Sequence, residues 1–410
     1  MSIAVKTQPI IGTPAIGAPR VLSIDIFRGL TMAVMIFVNA LSGVQGLPWW
    51  TYHAHANEDV MTYVDMVFPF FLFVVGMSLP LSVSQRLKRN SSLPLLWMHV
   101  IVRSLSLLVL GLILANAERS DLRMPISGST WAVIALVCAM LYLNVYQKWE
   151  RFPAYSLVLR ILGFVGVVIS LAIFQGTGRD GHAVWLNFSY PEILGLIALS
   201  YLAVAILYIP TRRWRWAPPV WFVLLVSLCA FTTARIVTLP RHCSLYVWPF
   251  GNGAMACIIM AGVITSSIFL GAAARDNLRR TMTYAVSFGV LMLAAGRALT
   301  PLGISKIRAT PTWSLYSIGA SVLLFTLLYW ICDVKQWTRW TFFVRPAGSN
   351  TLLTYLLPDL WYFLLSAMGI TIIDSSFNSG WQGVVKTFIF TFFILGIAWV
   401  LTKAKLRLQL

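Results

Sequence analysis

The polar segment between the first two apolar stretches carries the side chains best suited to catalysis. His53 and His55 lie two residues apart, and Asp65 follows four residues before Pro69. Histidine is the usual general acid or base near neutral pH. A carboxylate beside an apolar stretch is costly unless it is paired or used, so Asp65 is a candidate to hold a loop histidine in its working tautomer. The alternative is a solvated polar loop without a catalytic role.

Other polar residues lie at the ends of apolar stretches. Asp25 and Arg28 are three residues apart, so they can pair on one helix face. They form either a structural ion pair or a site for an anionic ligand to which Arg28 contributes. Asn39, near the other end of the same stretch, either bonds a neighbouring helix or serves a site. Lys306 and Arg308 either face an anionic part of a ligand or belong to a solvated loop.

The sequence gives little support for metal binding or disulfide bonding. Two histidines this close together can serve as metal ligands, but no further His or Cys follows at ligand spacing. We therefore predict no metal ion. The cysteines show no paired spacing and predict no disulfide framework. They are Cys138, Cys229, Cys243, Cys257 and Cys332.

The composition is that of a membrane protein. Of 410 residues, 59% are hydrophobic and 11% are charged, and the mean hydropathy is +0.79. Soluble domains carry about 25% charged residues. The net charge of +18 is spread over short clusters between apolar stretches rather than gathered in one basic domain. This pattern predicts contact with anionic lipid headgroups and no nucleic-acid partner.

The apolar stretches predict an all-α polytopic bundle of about 12 transmembrane helices, because a spanning helix needs about 20 mostly apolar residues. The first stretch is too long for a signal peptide and lacks a cleavage site, so it is predicted to be a retained helix. The predicted helices are 22–44, 60–84, 93–115, 129–147, 155–175, 191–210, 217–236, 252–272, 282–300, 313–333, 349–370 and 383–402.

The distribution of positive charge predicts the topology. With the N-terminus inside, the inner loops hold about twice as many Lys and Arg as the outer ones. We therefore expect a cytoplasmic tail at 1–21, a transmembrane domain at 22–402 and a second cytoplasmic tail at 403–410. No internal repeat typical of inverted-repeat transporters is visible.

Several motifs, in order, resemble the heparan-alpha-glucosaminide N-acetyltransferase family within the wider transmembrane acyltransferase superfamily. The resemblance covers almost the whole chain. Each motif is weak alone, but their order and spacing are specific. The motifs are "SIDIFRGLTMAVMIFVN", "VDMVFPFFLFVVGMS", "YPEILGLIALSYL", "GISKIRATPTWSLYSIGASVLLFTLLYWICDVKQW" and "PAGSNTLLTY".

The resemblance implies a catalytic centre. In that family an Asn at the end of the first helix and a His in the following loop form the active site, and Asn39 matches the former. The family His lies ten residues before the Asp of the "DxVFP" motif and precedes Ala, which selects His55 rather than His53. Asp65 is then the candidate residue that orients His55. The family's Gln-Arg pair in the middle motif is replaced here by Gly195 and Leu196.

The resemblance also implies the reaction. Acetyl-CoA approaches from the cytoplasm, with Arg28 and Asp25 at its site, and His55 removes a proton from an amino sugar or glycan acceptor held near Lys306 and Arg308. A covalent acetyl-His55 intermediate and direct transfer are both open. The chain lacks the large outer domain of the lysosomal enzyme, which favours location in a bacterial inner membrane. A homo-oligomer is possible. The bundle is expected to enclose a polar cavity, and the alternatives are a transporter or flippase using that cavity and a non-catalytic scaffold.

Overall fold

The computed structural model describes most of the chain. The described residues are 21–117, 119–120, 124–146, 153–177, 182–238, 251–270, 277–370 and 377–409. The predicted N-terminal tail up to residue 20 lies outside them, as does Cys243. The other four cysteines are free thiols.

The described chain folds into twelve helices of 16 to 26 residues and one short helix. They are α1 (Leu22–Leu41), α2 (Val64–Arg89), α3 (Leu93–Ala117), α4 (Gly128–Leu143), α5 (Pro153–Ile173), α6 (Glu192–Thr211), α7 (Ala217–Thr233), α8 (Ala254–Leu270), α9 (Leu278–Ala298), α10 (Pro311–Tyr329), the short α11 (Arg345–Ser349), α12 (Thr351–Ala367) and α13 (Gly380–Lys403). A two-residue strand pair, β1 (Gly176–Thr177) and β2 (Ala183–Val184), is antiparallel.

The all-α polytopic fold predicted from the sequence is confirmed. Seven of the described helices are long and apolar enough to cross a membrane, and four more, α4, α7, α8 and α12, are apolar but shorter. Each predicted stretch coincides with one of the twelve longer helices. The largest shift is at the end of α2, which lies at Arg89 rather than at residue 84.

Glycines on α2 and α8 allow the backbones of these two helices to pack closely. A Cβ on Gly76 of α2 would clash with the carbonyl oxygen of Ile259 of α8. A Cβ on Gly262 of α8 would likewise clash with α2. Small residues let helix backbones approach in this way. Gly195, one of the two departures from the family motif, lies against Gly111 where α6 packs on α3.

Contacts between helices distinguish two ends of the bundle. At one end the Arg28 side chain of α1 contacts the carbonyl oxygen of Gly348. Asn350, two residues further on, bonds the carbonyl oxygen of Leu406. The described chain therefore begins and ends at this end, which we call the Arg28 end. The loop carrying His53 lies at the opposite end, which we call the His53 end.

The start of α1 is stabilised by a distant carboxylate. Asp333 accepts hydrogen bonds from the backbone N–H groups of Leu22 at 3.0 Å and Ser23 at 2.9 Å. Val21 provides no side-chain cap. These N–H groups have no partner within a helix, and a carboxylate there also interacts favourably with the helix dipole. Asp333 lies in a π-helical turn, Trp330–Val334, that follows α10.

Candidate functional site

A histidine–carboxylate pair lies at the His53 end. Nδ1 of His53 is 2.7 Å from Oδ1 of Asp65. An ionised carboxylate can only accept, so Nδ1–H donates and Nε2 keeps its lone pair. The Asp65 side chain is 1% exposed, whereas the His53 side chain is 41% exposed. The buried Asp65 carboxylate therefore orients the more exposed His53 imidazole, which can act as a base.

The local fold explains why Asp65 tolerates burial. It lies in the first turn of α2, where a negative charge suits the helix dipole. Its Oδ2 accepts from the backbone N–H of Thr62 at 3.1 Å, from the Thr62 hydroxyl at 3.3 Å and from the N–H of Ala54 at 3.3 Å. The bond from the Thr62 N–H to a carboxylate three residues later resembles one half of a capping box. The Asp65 carboxylate thus bonds Thr62 just before α2, the Ala54 backbone in the loop and the His53 ring.

The expected contact of Asp65 with His55 is not present in the structure, since Asp65 contacts His53 instead, and catalysis by His55 stays a prediction. His55 is exposed, and no hydrogen bond of its ring is found among the described residues. The backbone turns back on itself here, because the Glu58 N–H donates to the His55 carbonyl oxygen at 3.1 Å and the Glu58 carboxylate accepts from the His55 N–H at 3.2 Å. This turn takes up loop length and directs His55 away, so the ten-residue spacing does not produce contact.

Lys306 lies beside the pair, in the loop between α9 and α10. Its Nζ is 3.4 Å from Nδ1 of His53. Burial lowers the pKa of Lys306 below its usual value, while the charges of Asp65 and Glu192 partly oppose this shift. Lys306 is thus a partly buried cation close to two carboxylates.

Arg308 takes a different role from Lys306. Its guanidinium forms an ion pair with Asp59 and bonds the Glu58 carbonyl oxygen at 3.3 Å. The Asp59 carboxylate also accepts from the Ile304 N–H at 3.2 Å. The bond from Arg308 is the main cause of the lowered pKa of Asp59, and the Ile304 bond adds to it. Arg308 therefore ties the two loops of the His53 end together.

Sequence reasoning missed Glu192, at the start of α6. Its carboxylate oxygens accept from the hydroxyl of Tyr355 at 3.1 and 3.2 Å, and its charge acts on Lys306. Its backbone φ is +58°, an uncommon conformation for a non-glycine residue. The sequence did contain a signal, since Glu192 directly precedes the apolar run of the "YPEILGLIALSYL" motif.

Asn39 lies apart from this cluster. It lines a cavity of about 1170 Å³ between α1, α12 and α13. Tyr355 lines the same cavity, whereas His53, Asp65 and Lys306 do not. The expected meeting of Asn39 with the histidine loop is therefore not observed. A connection exists through Tyr355, which touches the cavity on one side and Glu192 on the other.

At the Arg28 end, the predicted pairing of Asp25 and Arg28 is confirmed, with 3.4 Å between Oδ1 and the guanidinium. The guanidinium also donates to the Ser78 hydroxyl at 2.7 Å and to the Gly348 carbonyl oxygen at 3.3 Å. Arg28 thus links α1, α2 and α11. These contacts support a structural role, and coenzyme A binding by Arg28 and Asp25 stays a prediction.

No group of three His, Cys, Asp or Glu side chains that could hold a metal ion is found in the part of the chain that the structure describes. A reaction without metal stays a prediction. The cluster around His53 offers the His53 imidazole, the carboxylates of Asp65 and Glu192 and the ammonium group of Lys306. This set is suited to proton transfer and to stabilising a developing negative charge.

The fold and the site define a polytopic all-α bundle of the membrane type with an oriented histidine at one end. The family model described as "Domain of unknown function (DUF5009)" matches residues 20–262, and the chain belongs to this family. It is also 38% identical over 98 residues to heparan-alpha-glucosaminide N-acetyltransferase of Homo sapiens and 36% identical over 99 residues to that of Mus musculus. The resemblance inferred from the motifs is confirmed.

The similarity to these two relatives is partial. Each alignment covers 24% of this chain and 14% of the relative. It supports kinship between the proteins, while their activity carries over to this chain only as a proposal.

Proposed function

We propose that this chain is a membrane-bound acetyltransferase that moves an acetyl group from acetyl-CoA to the amine or hydroxyl of an amino sugar or glycan. The observation that carries the proposal is the His53–Asp65 pair with Lys306 beside it. The names of the two relatives support acetyl transfer to a glucosamine-containing acceptor. The membrane-type fold supports a reaction in which donor and acceptor approach from opposite sides.

His53 is the proposed general base, in place of His55. Its Nε2 accepts the proton of the acceptor amine or hydroxyl as the new bond to the acetyl carbon forms and the C–S bond of the thioester breaks. A positioned base of this kind contributes about 10²–10⁴-fold to the rate. Asp65 keeps the imidazole in the required tautomer and stabilises the imidazolium. The proton taken up by His53 passes to the leaving thiolate, directly or through solvent, which yields the free thiol and returns His53 to its neutral form.

Lys306 and Glu192 support the same step. The Lys306 ammonium lies close enough to stabilise the negative charge that develops on the acetyl oxygen. Glu192 accepts hydrogen bonds from the Tyr355 hydroxyl, and its charge favours the protonated form of Lys306. The cavity that Asn39 and Tyr355 line does not include His53, so it is proposed to hold a part of the acceptor away from the reacting group; its volume of about 1170 Å³ slightly exceeds the usual range for small-molecule sites.

The test is acetyl transfer by the purified protein with acetyl-CoA and a panel of amino sugars and glycans. We expect one acceptor class to be acetylated by the parent protein and not by His53→Ala. Movement of a sugar substrate across proteoliposomes without consumption of acetyl-CoA would instead support the transporter alternative. Folding of the variant is checked by its melting temperature in the same detergent.

A further inference from the structure

A cluster of basic side chains lies away from the proposed active site. Arg86 is in the last turn of α2, whose first turn holds Asp65. His99 and Arg103 lie four residues apart on α3 and therefore share one helix face. The charges of Arg86 and Arg103 both act on His99. Tyr201 of α6 completes the cluster, since the Arg103 guanidinium lies 4.9 Å from the centre of its ring.

Arg103 lies well away from the start of α3, is partly buried and leaves its Nε without a hydrogen bond. It is ten residues from the start of α3, which places it about 15 Å along the helix. Its Nε is buried and has no hydrogen-bond partner. A buried donor left unpaired in this way costs about 1–3 kcal/mol.

The cations of the cluster also lack a counter-charge. No carboxylate of the described residues forms an ion pair with Arg86 or Arg103. The other charges that act on Arg86 come from Tyr201 and Arg89. Ionisable groups within membrane spans are expensive, and their usual explanation is a ligand or a pathway.

A second arginine–tyrosine contact shows that the unpaired Nε is not a consequence of ring stacking. Arg280 lies 5.2 Å from the ring centre of Tyr284, one turn further along α9. There, Nε donates to the Tyr284 hydroxyl at 2.8 Å. Arg103 makes the same kind of ring contact and leaves its Nε unsatisfied, so its Nε–H is available to an acceptor from outside the described residues.

We propose that Arg86, His99 and Arg103 form a binding site for a phosphate group. Tyr201 supports this site by packing its ring against the Arg103 guanidinium. A phosphate supplies both the acceptor oxygens that Arg103 lacks and the negative charge that the cluster lacks. Two sources offer this chemistry, namely a soluble phosphate ligand such as coenzyme A and the headgroup of an anionic lipid. The site lies nearer the Arg28 end, away from His53.

The experiment measures both sources on the full chain. Coenzyme A binding is measured by calorimetry in neutral detergent, and phosphatidylglycerol retention is measured by native mass spectrometry. We expect Arg103→Gln and Arg86→Gln to weaken one of the two by roughly tenfold or more, the loss of a hydrogen bond to a charged group. Arg280→Gln is the matched control and is expected to bind as the parent does.

The two arms separate the sources. Weaker coenzyme A binding identifies a soluble phosphate ligand, and loss of the lipid identifies a headgroup. If Arg103→Gln does not fold, Arg86→Gln, at the end of its helix, decides the result. Parent-like binding of both ligands by the folded variants would overturn the proposal. Neither arm needs acetyl transfer, so the result is independent of the proposed reaction.

Discussion

Asp65 bonds Nδ1 of His53 at 2.7 Å, although His55 is the histidine that lies at the spacing expected for this contact. The pairing leaves Nε2 of His53 as the free basic nitrogen. His55 is exposed and belongs to the turn closed by Glu58. This relationship makes the two histidines separable by mutation.

The first prediction concerns these two histidines. His53→Ala should lower acetyl transfer by about 10²–10⁴-fold, because the oriented base is lost. His55→Ala should keep most of the activity, since its ring has no described hydrogen bond. Initial rates of transfer by the two purified variants beside the parent check this. If His55→Ala were inactive and His53→Ala active, His55 would be the catalytic base, as the family motif implies.

The second prediction concerns pH and Lys306. Because burial places the pKa of Lys306 below its usual value, its charge is present below that lowered pKa and is lost as pH rises through it. Transfer should therefore decline on the alkaline side below pH 10.5, the value for an unperturbed lysine. Lys306→Arg should move the decline to higher pH, since arginine stays charged. The measurement is the pH–rate profile, corrected for uncatalysed thioester hydrolysis. Superimposable alkaline limbs in the two proteins would exclude Lys306 as the titrating group.

The third prediction concerns the contact between α2 and α8. Gly76→Ala should destabilise the protein by about 1–3 kcal/mol, because the new methyl group meets the Ile259 backbone and the helices must separate. Gly396→Ala is the matched control, as a Cβ on this α13 glycine meets no atom within 4 Å. Melting temperatures of both variants in one detergent provide the comparison. Equal melting temperatures for the two would contradict the close approach.

The fourth prediction concerns the start of α1. Asp333→Ala removes the acceptor for the Leu22 and Ser23 N–H groups. The loss should cost about 1–2 kcal/mol, the range for a helix cap. Asp333→Asn keeps one acceptor oxygen and should lie between the parent and Asp333→Ala. Thermal unfolding of the three proteins gives the order, and a stability unchanged in Asp333→Ala would show that Asp333 contributes little as a cap.

The sequence alone determined the helices. In lipid every backbone N–H and C=O must be paired within the segment, so an apolar stretch of sufficient length has to be helical. The predicted stretches consequently match the twelve longer helices, and the Asp25–Arg28 pair follows from helical spacing alone. Which side of the membrane the Arg28 end faces stays a prediction from the charge distribution.

The tertiary structure decided which of these side chains meet. A loop has no fixed repeat, so the spacing between His55 and Asp65 could not show that the turn at Glu58 brings His53 to the carboxylate instead. Lys306 and Glu192 are more than a hundred residues apart and reach the same site only because α6 and α10 both begin at the His53 end. Local periodicity specifies helices, whereas contacts between distant residues depend on how those helices pack.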